Sequence, residues 1–276
     1  MIGIEGKNKY YFNIAGFTLC LNYHDTPWIK IKERLKSDIY DFLRSFYLNE
    51  KPKKVDYQID FIWDKYSNIK FYVEKDDFEN YYVNYLLVKS KRRAVSFYRI
   101  SLTEFNIILR FVLAYLLRIN KGFSMHASAV INNGKVDIFL GRSGAGKSTA
   151  RQLLDQDYPS LADDSIIIKK ESKSYFVYQS PFLEGKVGLK KSSNKYLLSR
   201  VFILKKSKNF GLKTLVNKEQ LIKIITKQLI FDNKKSLLKQ EMEIAMKFIS
   251  EFSHFYQLNF SKDRQGLLNL LKSNNN

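Results

Sequence analysis

Residues 141–148 read Gly-Arg-Ser-Gly-Ala-Gly-Lys-Ser, a complete G-x-x-x-x-G-K-[ST] phosphate-binding loop. A largely apolar run at 136–140 precedes it and a helical pattern follows it. This order, strand then glycine-rich loop then helix, constrains the chain more than anything else in it. The glycines let the backbone wrap around a phosphate, whose oxygens then meet loop N–H groups and the positive end of the helix. The expected nucleotide contacts are Gly141, Ser143, Gly144, Ala145, Gly146, Lys147, Ser148 and Thr149. Lys147 would neutralise β- and γ-phosphate charge and the Ser148 hydroxyl would hold a metal, so ATP and Mg2+ are the expected cofactors.

The rest of the chain sets bounds on this reading. With 276 residues, 45% of them hydrophobic and only four prolines, it has the makings of an ordered core and of two modest domains. Cys20 is the single cysteine, which excludes a disulfide framework or a cysteine metal site within the chain. Residues 1–8 lack the apolar core of a secretory signal, and the apolar stretch 105–119 is interrupted by Asn106, Arg110 and Arg118. A cytoplasmic protein without membrane spans is therefore expected. The formal charge of +20 invites a nucleic-acid reading. The lysines are spread along the chain, however, so nucleic acid is not the expected partner; an acidic protein or peptide accounts for the charge equally well.

Two regions differ in texture. Residues 10–23, 55–63, 69–73, 81–88 and 94–98 are aromatic and β-branched and read as antiparallel strands, interrupted by a helix over 29–47. Residues 1–100 thus form a mainly antiparallel β region with no catalytic constellation, suited to substrate docking or contact between copies in a homo-oligomer. The second region, 101–276, opens on Ser101-Leu-Thr-Glu104, a capping box that starts a helix running to about 120, with Gly122 placed to stop it. A strand over 124–131, the Asn-Gly turn at 133–134 and a strand over 135–140 form a hairpin leading into the loop. Beyond the loop come a helix over 147–156, strands at 165–169, 175–179 and 200–205, helices over 217–230 and 235–250, a strand at 255–260 and a last helix over 263–271. The fold class expected is α/β, in the sense of an α+β mixed sheet.

Absences narrow the loop's chemistry. No guanine-reading Asn-Lys-x-Asp follows it, and no Gly-Gly pair exists to build an ABC-transporter signature. What does occur is His126, 21 residues before Lys147, and Ala162-Asp163-Asp164, whose carboxylates lie 16 and 17 residues after it. This arrangement resembles the catalytic domain of HPr kinase/phosphorylase and its relatives in the phosphoenolpyruvate carboxykinase-like superfamily. It is similar in particular to short kinase relatives found beside peptide-modifying enzymes. The resemblance covers roughly residues 101–262, and includes Met125-His-Ala-Ser128, Ser180-Pro-Phe182 and Tyr256-Gln-Leu-Asn-Phe260. Residues 1–100 do not resemble the amino-terminal domain of HPr kinase, and that family's later glycine-rich signature is missing. HPr is accordingly not the expected substrate, nor is reverse dephosphorylation expected.

The resemblance implies a phosphotransferase in which Asp163, Asp164, His126 and Lys147 are catalytic and Ser148 and Asp163 contact the metal. Phosphoryl transfer needs a held Mg2+, a clamped γ-phosphate and an acceptor for the proton of the attacking hydroxyl. Two adjacent carboxylates at a strand end would point to opposite faces and divide the metal and base roles between them, in an order that spacing leaves open. His126 would touch the phosphate or tune the base. Glu184, Lys186 and Lys190 fall where relatives place a substrate loop. The expected acceptor is a serine hydroxyl of a protein or peptide, or a small hydroxyl metabolite. The rival class is an ATPase module that uses hydrolysis for conformational change, with nucleic acid as the partner that the charge would suit. His24 and His254 have no partner motif and read as structural.

Overall fold

A computed structural model describes residues 8–63, 72–75, 81–84, 87–182, 189–230 and 235–274. The chain falls into two compact units that divide after Leu116.

The first unit contains β1 (Lys9–Ile14), β2 (Phe17–Tyr23), α1 (Ile29–Leu43), β3 (Tyr57–Ile62), β4 (Tyr72–Lys75), β5 (Tyr81–Asn84), β6 (Leu87–Ser90), β7 (Arg93–Phe97) and most of α2 (Leu102–Ile119). Its main sheet has the order β1-β2-β3-β7-β6, with β4 and β5 paired apart. The antiparallel expectation holds for β1–β2, β4–β5 and β6–β7, but β2–β3 and β3–β7 are parallel. For β2–β3 the cause is α1, a crossover helix between them that returns the chain to the starting end of the sheet. Alternate residues Tyr10, Phe12, Leu19, Leu21, Tyr57, Ile59 and Phe61 are buried on one face. Tyr10 meets Tyr40 of α1, Phe61 meets Phe105 of α2, and Tyr57 meets Tyr115 of α2. These aromatic contacts accompany most of α2 in the first unit, whereas the capping box at 101–104 is expected to open the second region. The expected capping box starts it, with the Glu104 N–H donating to Ser101 Oγ and the Ser101 N–H donating to Glu104 Oε2.

The second unit contains β8 (Gly122–His126), β9 (Ser128–Asn132), β10 (Lys135–Leu140), α3 (Lys147–Leu154), β11 (Ser160–Ala162), β12 (Ser165–Glu171), β13 (Ser174–Gln179), β14 (Lys195–Lys206), β15 (Gly211–Thr214), α4 (Lys218–Ile225), α5 (Lys235–Glu251), β16 (Phe255–Phe260) and α6 (Arg264–Ser273). Strand order is β11-β9-β10-β14-β13-β12-β8, and β16 joins β14 and β15. The β10–β14 and β14–β16 ladders are parallel, which makes this a mixed α/β sheet. Along β10, Ile138 and Leu140 pack with Val201, Ile203 and the helices α4 and α5, whereas Phe139 packs with Phe202, Leu258 and the helices α3 and α6. Burial on both faces explains why this strand is nearly continuous apolar sequence.

Two local expectations are corrected. Lys121 (φ 55), rather than Gly122, adopts the left-handed conformation after α2. Gly122 instead opens β8, where a Cβ would lie 2.7 Å from Lys169 Cγ and 2.8 Å from Leu117 Cδ2. The strand expected over 124–131 is broken at Ala127 into β8 and β9, because the two halves pair with different partners. β8 pairs with β12, while β9 pairs with β10 and β11. The hairpin turn at Asn133 (φ 49) and Gly134 (φ 74) is as expected.

Candidate functional site

The site grows from the carboxyl end of β10. Residues 141–146 loop from that strand into α3, with Gly144 (φ 75) and Gly146 (φ 101) in backbone conformations that side chains strain. Gly146 is also the residue before the first turn of α3, and a Cβ there would meet the Phe260 ring at 2.9 Å. Gly141 is needed for close approach, since a Cβ would sit 2.7 Å from that of Ala145. Ser143, Gly144 and Ser148 are exposed, and Ala145, Gly146, Lys147 and Thr149 are half-buried. The Lys147 ammonium folds over the loop and donates to the Gly141 carbonyl at 2.8 Å. Burial lowers the pKa of this amine, against the opposing pull of the Asp164 and Asp163 carboxylates. Both aspartates therefore act on the phosphate-loop lysine.

The two aspartates occupy a bend between β11 and β12 rather than a strand end. β11 pairs with β9 and β12 pairs with β8, so this bend faces the break at Ala127. The Ala127 N–H donates to the Asp164 carbonyl at 3.1 Å, stitching the two corners together. His126 is thereby brought beside Asp164, with Nδ1 3.3 Å from the carbonyl oxygen and 3.6 Å from Oδ1. Their side chains are 51% and 61% exposed, open enough to meet a substrate.

Asp163 has a different environment. Its Oδ1 accepts from Arg151 Nε at 2.9 Å, and the two side chains are only 14% and 3% exposed. Arg151 also donates through Nη1 to Ser160 Oγ at 2.6 Å, and the Ser160 N–H donates to Asp155 Oδ1 at 3.0 Å. Arg151 stands one helical turn after Lys147, so a single short helix carries both the phosphate lysine and the anchor of the acidic bend. The sequence reading missed Arg151. An arginine four residues beyond the loop lysine has no motif, and only its burial marks it.

Gln179, also missed, is buried at the end of β13 and donates to the carbonyls of Leu161 and Lys190 at 2.8 and 3.1 Å, tying β11 to the chain that follows 183–188. Lys190 is exposed; Glu184 and Lys186 lie outside the described residues. His254 contributes its carbonyl to the Val201 N–H. In the first unit His24 Nε2 lies 2.8 Å from Asp60 Oδ1, within a network considered below.

A family model described as "SynChlorMet cassette protein ScmC" matches residues 98–249, more than half of the chain. The chain belongs to the ScmC family. The family stretch begins just before α2 and includes His126, the phosphate loop, Arg151 and the Asp163–Asp164 bend. A search of curated proteins finds no match. Among solved structures, the Hpr(Ser) kinase/phosphatase from Coxiella burnetii is similar at 15% identity and a TM-score of 0.32, over 54% of this chain and 94% of that one. The likeness is distant and carries no functional weight.

Ser148, exposed in the first turn of α3, and one of the two aspartates are the side chains that could contact a metal. Among the described residues no cluster of three metal-ligating side chains occurs. One hydroxyl, one carboxylate and nucleotide oxygens are the ordinary complement for Mg2+, which keeps much of its water and seldom uses an all-protein cage. No described helix is long and apolar enough to cross a membrane.

Proposed function

We propose that this chain is an ATP-dependent phosphotransferase whose acceptor is a hydroxyl, a serine on a protein or peptide. A small hydroxyl metabolite is the nearest variant. The observation that carries the reading is the corner at Ala127 and Asp164, which sets His126 beside one of the two carboxylates that act on the loop lysine.

The loop N–H groups and the start of α3 hold the β- and γ-phosphates, with Lys147 leaving the Gly141 carbonyl to meet them. Ser148 and one carboxylate would hold Mg2+, which would supply charge neutralisation when bound. The acceptor oxygen bonds to the γ-phosphorus as the bond to the β,γ-bridging oxygen breaks. The hydroxyl proton passes to the second carboxylate, and ADP leaves. His126 orients that carboxylate or the transferred group. The Ala127 N–H bond to the Asp164 carbonyl and the Arg151 bond to Asp163 support the reading, since both fix the bend that carries the aspartates.

The test is incubation of the purified chain with γ-labelled ATP, Mg2+ and a lysate of its own source, beside a Lys147→Ala control. A labelled band or metabolite absent from the control supports the reading and identifies the acceptor. Phosphate release alone would instead assign a nucleotide-driven ATPase module.

A further inference from the structure

We propose that Arg151 is a positioning residue that divides the roles of the two aspartates, holding Asp163 for the metal and leaving Asp164 to take the acceptor's proton. The inference rests on the phosphotransferase reading and deepens it. Adjacent carboxylates of one bend begin chemically alike, so their surroundings must separate them.

The surroundings differ in three respects. Asp163 is mostly buried and receives a charge-assisted bond from a guanidinium that is itself buried, whereas Asp164 is mostly exposed beside His126. Arg151 is fixed at its other end by Ser160, which Asp155 in turn holds, so its fork cannot follow Asp163 if the bend moves. Arg151 also shares α3 with Lys147 and Ser148, so its bond ties Asp163 to the helix that carries the loop lysine and hydroxyl. A carboxylate that must meet a metal at a fixed distance gains from such a tether. A carboxylate that must receive a proton from a varied acceptor gains from exposure and a histidine neighbour.

Arg151 touches neither nucleotide nor acceptor in this scheme, so its effect must travel through Asp163. The experiment is a double-mutant cycle on the full chain with Arg151→Met, Asp163→Asn and the pair together. Transfer of label from ATP to the lysate acceptor is followed against Mg2+ concentration, beside Mg2+-dependent binding of a fluorescent ATP analogue, with thermal melting as a folding control. Arg151→Met is expected to lower turnover and to raise the half-saturating Mg2+ concentration, each by about tenfold, with the KM for ATP changed less than about threefold. Added to Asp163→Asn, it is expected to cost less than about twofold more, since the group through which it acts is already altered.

An equal cost in both backgrounds, or reduced turnover with an unchanged Mg2+ requirement, would overturn the assignment. Should Arg151→Met fail to fold, Arg151→Lys takes its place. It keeps the charge but loses the two-ended fork, and must still raise the Mg2+ requirement for the inference to stand. A wild-type chain that releases phosphate but labels no acceptor in the lysate would overturn the phosphotransferase reading itself. An active wild type with additive costs would overturn the role of Arg151 alone.

Discussion

Arg151 Nε and Asp163 Oδ1 lie 2.9 Å apart, one on α3 just behind the phosphate loop and the other in the bend between β11 and β12, with both side chains largely withdrawn from water. A buried charge is costly unless its partner remains, so removing one member is worse than removing both. Arg151→Ala is expected to destabilise the second unit by about 3–5 kcal/mol. The combination Arg151→Met with Asp163→Asn is expected to recover most of that loss. Urea unfolding of the three proteins would check it, and equal losses in single and double variants would count against a coupled pair.

Lys147→Ala should abolish MgATP binding while leaving the fold in place. The lysine is half-buried and, among the described residues, its ammonium bonds only the Gly141 carbonyl. Titration with a fluorescent ATP analogue, beside a melting curve, separates the two effects. Undiminished binding would mean that the loop does not cradle phosphate.

Asp164→Asn should leave nucleotide affinity within about threefold and slow turnover by at least about 100-fold, the usual scale for a lost general base. His126→Ala should cost less, because it is placed to assist Asp164 rather than to replace it. Single-turnover kinetics would measure both, and unchanged rates for His126→Ala would return that histidine to a structural role.

Gly146→Ala tests the loop's backbone. At φ 101 an added Cβ is strained, and it would meet the Phe260 ring at 2.9 Å. The expected cost is about 1–3 kcal/mol, together with weaker nucleotide binding, because the strained residue also sets the start of α3. Melting and binding measured on one preparation would reveal it. Gly134→Ala, which meets nothing within 4 Å in its hairpin turn, should share only the backbone cost.

The first unit makes a prediction about acid. Asp60 is 1% exposed; burial raises its pKa, but bonds from Arg93, Asn22, His24 and Gln58 outweigh this and hold it at about 2, below its ordinary 3.8. A depressed carboxyl stabilises the fold above about pH 4 and loses that contribution as pH falls towards about 2. The difference corresponds to about 2 kcal/mol. Asp60→Asn should therefore lower stability at pH 7 and flatten the acid limb between about pH 4 and 2. Urea midpoints measured across that range would show it, and a parallel displacement of the whole curve would argue against the linkage.

Several elements were legible along the chain because their causes are local. Asn133-Gly134 can take two positive φ values in succession, so a hairpin follows wherever the flanking residues are apolar. Ser101 and Glu104 satisfy each other's backbone within one turn. The phosphate loop carries its glycines, lysine and hydroxyl within eight residues, and their places in the fold follow from that segment alone. The split of 124–131 at Ala127 was not legible, since the break arises from partners about thirty or more residues away. The parallel course of β2, β3 and β7 was hidden for the same reason: strand propensity does not record direction.

The sequence by itself determined that a phosphate loop leads into a helix, that His126 and two aspartates stand at set spacings from its lysine, and that the surrounding unit mixes strands and helices. Tertiary structure alone decided that the aspartates occupy a bend, that one is clamped by Arg151 while the other stands beside His126, and that α2 packs with the first unit. The division has a physical reason. Turns, caps and glycine conformations are settled by groups a few residues apart, whereas burial and charge pairing depend on which distant segments the folded sheet brings together.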